Sequence, residues 1–349
     1  MDFLFTPEQD EAAELAARIL ADKTTNDRLK QVEAGGDRFD RDLWADLVTA
    51  GLTTLHLPEA EGGAGLGLIE LARVLVEVGR RVAPVPLAVH GACTALLAGA
   101  NVAVGDRLYA AAVAEERAHL PASPVVTADG TGTLAGTKTL VRAGMAADAF
   151  LVTATGPDGP GVYVVDATAP GVDRVAQKTS DGDVAALVTF TGAAATRVGD
   201  GSTATRLGEL LITLAAAEQL GVTEGALRLT ASYAKTREQF GRPIGTFQAV
   251  SQRLADGFID VLGQRLTLWQ AVWRLQEGMP AATEVATAKL WAADAGHRIA
   301  HTTVHVHGGV GIDMDGEAHR YFTTGKRFEF LFGAATEQAL LIGRAFAAS

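Results

Sequence analysis

The stretch from Tyr233 to Asp256, YAKTREQFGRPIGTFQAVSQRLAD, constrains this chain more than any other. Its centre, Phe240-Gly241-Arg242-Pro243-Ile244-Gly245, places two glycines and a proline within six residues, which no helix interior accepts cheaply. Apolar and small residues return at helical spacing on both sides: Ala226, Leu227, Leu229 and Thr230 before, Phe247, Val250, Leu254 and Phe258 after. The spacing predicts helix, break, helix, with Arg237 and Phe240 where the first helix ends and Gln248 near the start of the second. Such a stretch also describes a plain hairpin between two core helices. Its residue types point further: a guanidinium offers forked donors to a diphosphate, an aromatic face suits a base, and an amide lies close by.

The remainder bounds the class of protein. At 349 residues the chain is long enough for two or three domains, and with 48% hydrophobic but only 6% aromatic residues its core should be mainly Ala, Leu and Val. A formal charge of −11 without a Lys/Arg run argues against nucleic acid or an anionic membrane surface as partner. Cys93 is the only cysteine and lies in an apolar run, so it reads as a buried small hydrophobe; neither an internal disulfide nor a cysteine zinc cluster can form. The N-terminus, MDFLFTPEQDE, is acidic and unlike a signal peptide, and no apolar run reaches membrane-spanning length. A soluble, cytoplasmic protein is expected.

Taken in order, Thr6-Pro7-Glu8-Gln9 predicts a capping box opening a helix to about Ala21. Leu43, Trp44, Leu47 and Val48 predict another, ended by Gly51. Glu61 to Gly67 carries four glycines, but neither a preceding strand nor G-x-G-x-x-G spacing, so a phosphate cradle is rejected. Helices are expected over Leu68 to Gly79 and about Ala88 to Leu97. From about Ala111 short β-rich runs follow: Val125 to Thr127, Thr133 to Val141, Ala149 to Thr155, Gly161 to Val165 and Ala186 to Phe190, divided by Gly, Asp and Pro turns. Helical periodicity resumes at Thr205 and runs to Ala347. The expected class is α+β: helical residues 1–110, an antiparallel β domain over 111–202 and a four-helix bundle over 203–349.

The run R-E-Q-F-G-R-P-I-G-x-F-Q resembles the signature of the acyl-CoA dehydrogenases, flavoproteins that form the α,β double bond of acyl-CoA thioesters, and the resemblance extends to His307-Gly308-Gly309-Val310-Gly311 and more loosely to most of the chain. It implies an FAD whose adenosine diphosphate half meets Arg237, Gln239, Phe240, Ile244, Phe247 and Gln248, with Gly308 and Gly309 as a tight turn and His305 as a further donor. His305 and His307 lack the acidic or cysteine company of a metal site, so none is expected.

The flavin half departs from the family. Where relatives carry T-E-P-x-x-G-S-D, this chain reads Ala112-Val113-Ala114-Glu115-Glu116-Arg117-Ala118-His119, and after Gly136-Thr137-Lys138 the flavin-contacting tryptophan is missing. Gly136 and Lys138 are explained as a turn and a solvated strand end. The glutamate that takes the substrate proton is missing too: the two positions relatives use fall on Phe332 and Leu211, with Glu209 the nearest substitute, while Glu329 and Glu337 read as bundle-surface carboxylates.

Together these features imply the non-catalytic subunit of a hetero-oligomeric, α2β2 acyl-CoA dehydrogenase of the kind acting on steroid side-chain CoA thioesters. A partner chain would supply the flavin surface and base, and an electron-transfer flavoprotein would be the acceptor. Three alternatives stay open: a self-sufficient homotetramer using Glu209, an ordinary short- or medium-chain dehydrogenase whose gaps are misplaced, and a flavin-free scaffold.

Overall fold

The computed structural model describes residues 4–100, 102 and 104–348. Helices come first: α1 Pro7–Lys23, α2 Asn26–Ala34, α3 Arg41–Thr49, α4 Leu68–Arg80 and α5 Leu87–Leu97. The capping box forms, with Gln9 N donating to Thr6 Oγ1 at 3.4 Å and Thr6 N to Gln9 Oε1 at 3.0 Å. Helix α2 was not expected, because NDRLKQVEA buries only Leu29 and leaves no apolar period to read. The glycine-rich loop before α4 is a turn: Gly62 and Gly65 take φ of +83° and +66°, and a Cβ on Gly63 would meet the Leu57 carbonyl at 2.1 Å.

Eight strands follow: β1 Tyr109–Ala112, β2 Thr127–Ala128, β3 Thr133–Val141, β4 Ala149–Gly156, β5 Gly159–Asp166, β6 Val172–Gln177, β7 Ala185–Ala194 and β8 Thr196–Gly199. Their order is β6-β7-β3-β2-β4-β5-β8, antiparallel except where β4 takes β1 and β2 as parallel neighbours. The chain then becomes helical again, through α6 Gly201–Thr236, α7 Gln248–Gln276, α8 Ala282–His307, α9 Ala318–Phe330 and α10 Ala335–Ala348. Helix α6 corrects one expectation. It is long and apolar enough to cross a membrane, but 94% of its apolar window is buried, as befits the core helix of a bundle.

Contacts divide the chain into two compact units. The first comprises residues 1–31, 72–83 and 215–349. In it, α4 and α6 approach backbone to backbone: a Cβ on Gly79 would stand 1.9 Å from the Glu218 carbonyl, and one on Gly221 2.0 Å from that of Val76. Beside this crossing Arg80 pairs with Glu77 and Glu224, and Glu224 also takes Arg265, so the half-buried charges neutralise one another. Helix α1 is held by Arg73, which reaches Asp10 at 2.7 Å and lies 3.9 Å over the Phe5 ring.

The second unit, residues 32–71 and 84–214, holds the sheet with α3 and α5. Here the reading of Lys138 as a solvated strand end is overturned. Lys138 is fully buried on β3, and its ammonium donates to Glu115 at 2.7 Å, to the Val113 carbonyl and to Thr153 Oγ1. Alternation along β3 puts Leu134, Gly136 and Lys138 on one side before a bulge breaks the register. The side chain therefore points inward, and Glu115 compensates its charge. Arg142, just after β3, is tied to Asp183 at 2.9 Å. Cys93 is buried as expected.

Two buried histidines make this unit acid-sensitive. Burial pushes His56 down to about 4; burial, joined by nearby His56, pushes His90 down to about 3 against a small opposing effect of the Thr53 carbonyl. Both pKa values lie below the unfolded value near 6.5, so the unfolded chain binds these protons first. Their contribution is complete above pH ~6.5 and is lost as pH falls toward the folded values, about 2 kcal/mol per ring by pH ~5. Urea unfolding at pH 7 and pH 5 checks this. His56→Gln, which keeps a donor for Thr94, should flatten the pH dependence; an unchanged slope refutes the assignment.

Candidate cofactor half-site

The candidate site lies in the first unit, where α6 ends. Arg237 N still donates to the Tyr233 carbonyl at 2.8 Å, and the chain then leaves the helix as a miniature hairpin, β9 Glu238–Gln239 against β10 Arg242–Pro243. Its two-residue turn, Phe240-Gly241, has both φ angles positive, at +54° and +76°, as the twist of a tight hairpin requires. Ile244 N returns to the Arg237 carbonyl at 2.8 Å and closes the loop. A 3-10 turn over Ile244–Thr246 then delivers the chain to α7, whose first residue is Gln248.

The hairpin presents its chemistry outward. Phe240 is 93% exposed, and Phe247 stands edge-on to it at 6.1 Å between centroids. The Arg242 guanidinium lies 4.2 Å over the Phe247 ring, a cation–π contact that fixes both groups. Arg237 and Gln248 are exposed at the two helix ends, and among the described residues no ion pair engages Arg237. Phe247, the N-cap of helix α7, provides no side-chain cap, so the amino end of the helix keeps the donors and positive dipole on which anions settle. Gln239 and Ile244 lie on the same hairpin. The Gln239 amide donates to the Glu238 carbonyl at 2.8 Å, and Ile244 is half-buried.

The end of α8 is brought beside the end of α6. The Tyr233 and His307 rings stack at 4.3 Å and 22°, and Thr230 donates to Thr303 at 3.1 Å one turn earlier. His307 Nδ1–H donates to the Thr303 carbonyl at 2.8 Å, while burial holds the ring below the usual histidine range and hence neutral. This inward packing leaves His305 on the exposed side. Gly308 follows with φ +64° and ψ −141°, and neither it nor Gly309 has an atom within 4 Å of where a Cβ would be. Open backbone, two guanidiniums, exposed aromatic faces and an uncapped helix start fit an adenosine diphosphate. Arg242, Tyr233 and His307 escaped the sequence reading; the signal available for Arg242 was its place two residues after the aromatic of the turn.

The flavin side, in the second unit, is built otherwise. After β1 the chain makes a tight turn in which Glu115 and Ala118 bridge and Arg117 takes φ +64°. Glu115 turns inward, accepting Val125 N and Val126 N at 2.8–3.0 Å besides Lys138. Its carboxylate is thus consumed by the protein itself.

Neither base position carries a proton acceptor. Leu211 is in the core at 2% exposure. Phe332 sits in the loop between α9 and α10 with φ +60°, its carbonyl accepting from Gln338 Nε2 at 3.0 Å. Glu209 is half-buried and 3.9 Å from Arg206; burial raises its pKa and Arg206 opposes the rise. Glu329 is held by Lys326 and His297, and Glu337 accepts from Ala334 N at 2.9 Å.

Comparison with known proteins gives a consistent result. The family description "Acyl-CoA dehydrogenase, N-terminal domain" matches residues 6–116, and "Acyl-CoA dehydrogenase, C-terminal domain" matches residues 212–347. Acyl-CoA dehydrogenase FadE27 of Mycobacterium tuberculosis is 44% identical over an alignment covering 99% of both chains. Among solved structures, a chain of the ChsE4-ChsE5 complex from Mycobacterium tuberculosis superposes with a TM-score of 0.94 at 43% identity, covering all of both chains. A chain described as the Tcur3481-Tcur3483 steroid ACAD G363A variant superposes with a TM-score of 0.92 at 40% identity, covering 98% of each.

Proposed function

Because this chain belongs to the acyl-CoA dehydrogenase family of oxidoreductases, we propose that it is the non-catalytic subunit of a hetero-oligomeric member. In this reading it completes an FAD site by offering Arg237, Phe240, Phe247 and Gln248 to the adenosine diphosphate, with Arg242 bracing Phe247 and the Gly308-Gly309 backbone alongside. Bound FAD would accept the hydride that leaves the substrate Cβ; the proton at Cα would go to a glutamate of the partner chain. The observation that carries the reading is the conjunction of an exposed, unpaired Arg237 hairpin with Phe332 and Leu211 at the base positions. The two similar structures, each named for a pair of proteins, support a heteromeric assembly, proposed here to be α2β2 and cytoplasmic, and the one named a steroid ACAD supports the proposal of steroid side-chain CoA thioesters as substrates. Residues 1–110, 111–202 and 203–349 are the proposed domains, and an electron-transfer flavoprotein is the proposed acceptor.

Size-exclusion chromatography with a visible spectrum tests this, on the chain alone and co-expressed with a neighbouring dehydrogenase-like gene product. The expected result is a colourless chain alone and a yellow heterotetramer carrying about half an FAD per chain. A yellow homotetramer with one FAD per chain would overturn the proposal. Turnover by that species, lost in Glu209→Gln, would establish the self-sufficient alternative.

A further inference from the structure

The second unit contains a cavity of about 200 Å³ that none of the cofactor residues touches. Its walls are the later turns of α3 (Trp44, Val48), Thr53 in the following loop, His90 on α5, and Asp106 and Arg107 before β1. His90 is 2% exposed, and its Nδ1 accepts Tyr109 N at 3.3 Å, so the proton of the neutral ring sits on Nε2. That Nε2 has no partner in full hydrogen-bond geometry, the nearby Thr53 carbonyl only weakly opposing it, so a buried donor is left incompletely satisfied at the cavity wall.

A second donor stands at the rim. Arg107 Nη2 is taken by the Asp148 carbonyl at 2.9 Å and by Asp166 at 2.8 Å, which leaves its Nη1 and Nε for a ligand. Trp44 packs edge-on against His90 at 5.2 Å and, with Val48, makes the apolar wall. Exposed Asp106 is set against any ligand carrying two negative charges.

We propose that this cavity binds a small monocarboxylate with an apolar body, its oxygens bridging His90 Nε2 and Arg107 while the body lies on Trp44. The volume equals roughly seven waters at ~30 Å³ each, room for a branched short-chain or aromatic acid and far too little for a coenzyme thioester. The site is independent of the assignment made for the Arg237 hairpin.

Isothermal titration of the assembled complex with benzoate, and with benzyl alcohol as its neutral counterpart, tests it. Benzoate should bind once per chain and benzyl alcohol should not. Arg107→Met should weaken benzoate about tenfold or more, as loss of a charge-assisted bond does, and His90→Phe likewise, whereas His90→Gln should retain binding because its amide restores a donor. Arg107→Met decides the matter if His90→Phe fails to fold. No saturable binding of benzoate would show that the cavity holds water alone and would overturn the proposal, as would binding unchanged in Arg107→Met.

Discussion

Replacing Lys138 by methionine should destabilise the chain by about 3–5 kcal/mol, because it strands the Glu115 carboxylate in the interior. Glu115 and Lys138 are 6% and 0% exposed in their side chains, and neither can turn to water. Burial alone would raise the Glu115 pKa, but Lys138 and the amides of Val125 and Val126 outweigh it and hold the carboxyl below its usual range. Burial lowers that of Lys138, and Glu115 partly restores it. The sum is a pair worth little against an apolar substitute yet expensive to break. Lys138→Met combined with Glu115→Leu should therefore recover a large part of the loss. Guanidinium unfolding of the two single variants and the double variant gives the coupling directly. Single variants within about 0.5 kcal/mol of the parent would mean that water reaches the pair after all.

The second large effect concerns Arg237. Arg237→Ala in the co-expressed complex should weaken FAD retention by about 10–100-fold, the usual range for one lost charge-assisted bond to a phosphate. Arg237→Lys should recover only part of it, since an ammonium cannot span two phosphate oxygens as a guanidinium fork does. The side chain is exposed, so the fold should be unaffected, and unfolding midpoints of all three proteins stripped of FAD should coincide. Fluorescence of released flavin on dilution gives the dissociation rate. Retention equal to that of the parent would refute the half-site and favour a scaffold that never touches cofactor.

Much of this was legible in the residues. Thr6-Pro7-Glu8-Gln9 announces a helix start because each group has one local partner, and the Gly/Pro break announces a helix end because two glycines and a proline leave no other choice. Helix α2 and strands β6 and β8 were illegible for the opposite reason: they are short and largely exposed, so burial imposes no period on their side chains. At Lys138 the period of the strand was correct and the charge misled. Only the fold brings Glu115, far back along the chain, to where a lysine can be buried. The hairpin shows the same division. Its turn was readable from Gly241 and Pro243, but the seating of Arg242 on Phe247 and of Tyr233 on His307 is a property of packing.

Helix α6 runs without interruption from its crossing with α4 at Gly221 to Thr236, beside the hairpin, a span of about 22 Å at 1.5 Å per residue. With no side chain between the backbones at Gly79 and Gly221, and with Thr230 and Tyr233 engaged by α8, the strut has little freedom to bend or roll. The backbone that carries the aromatic and cationic groups at its tip is accordingly held in place. A ligand meeting them has the exposed side chains to order but not the loop itself, which removes one part of the cost of binding.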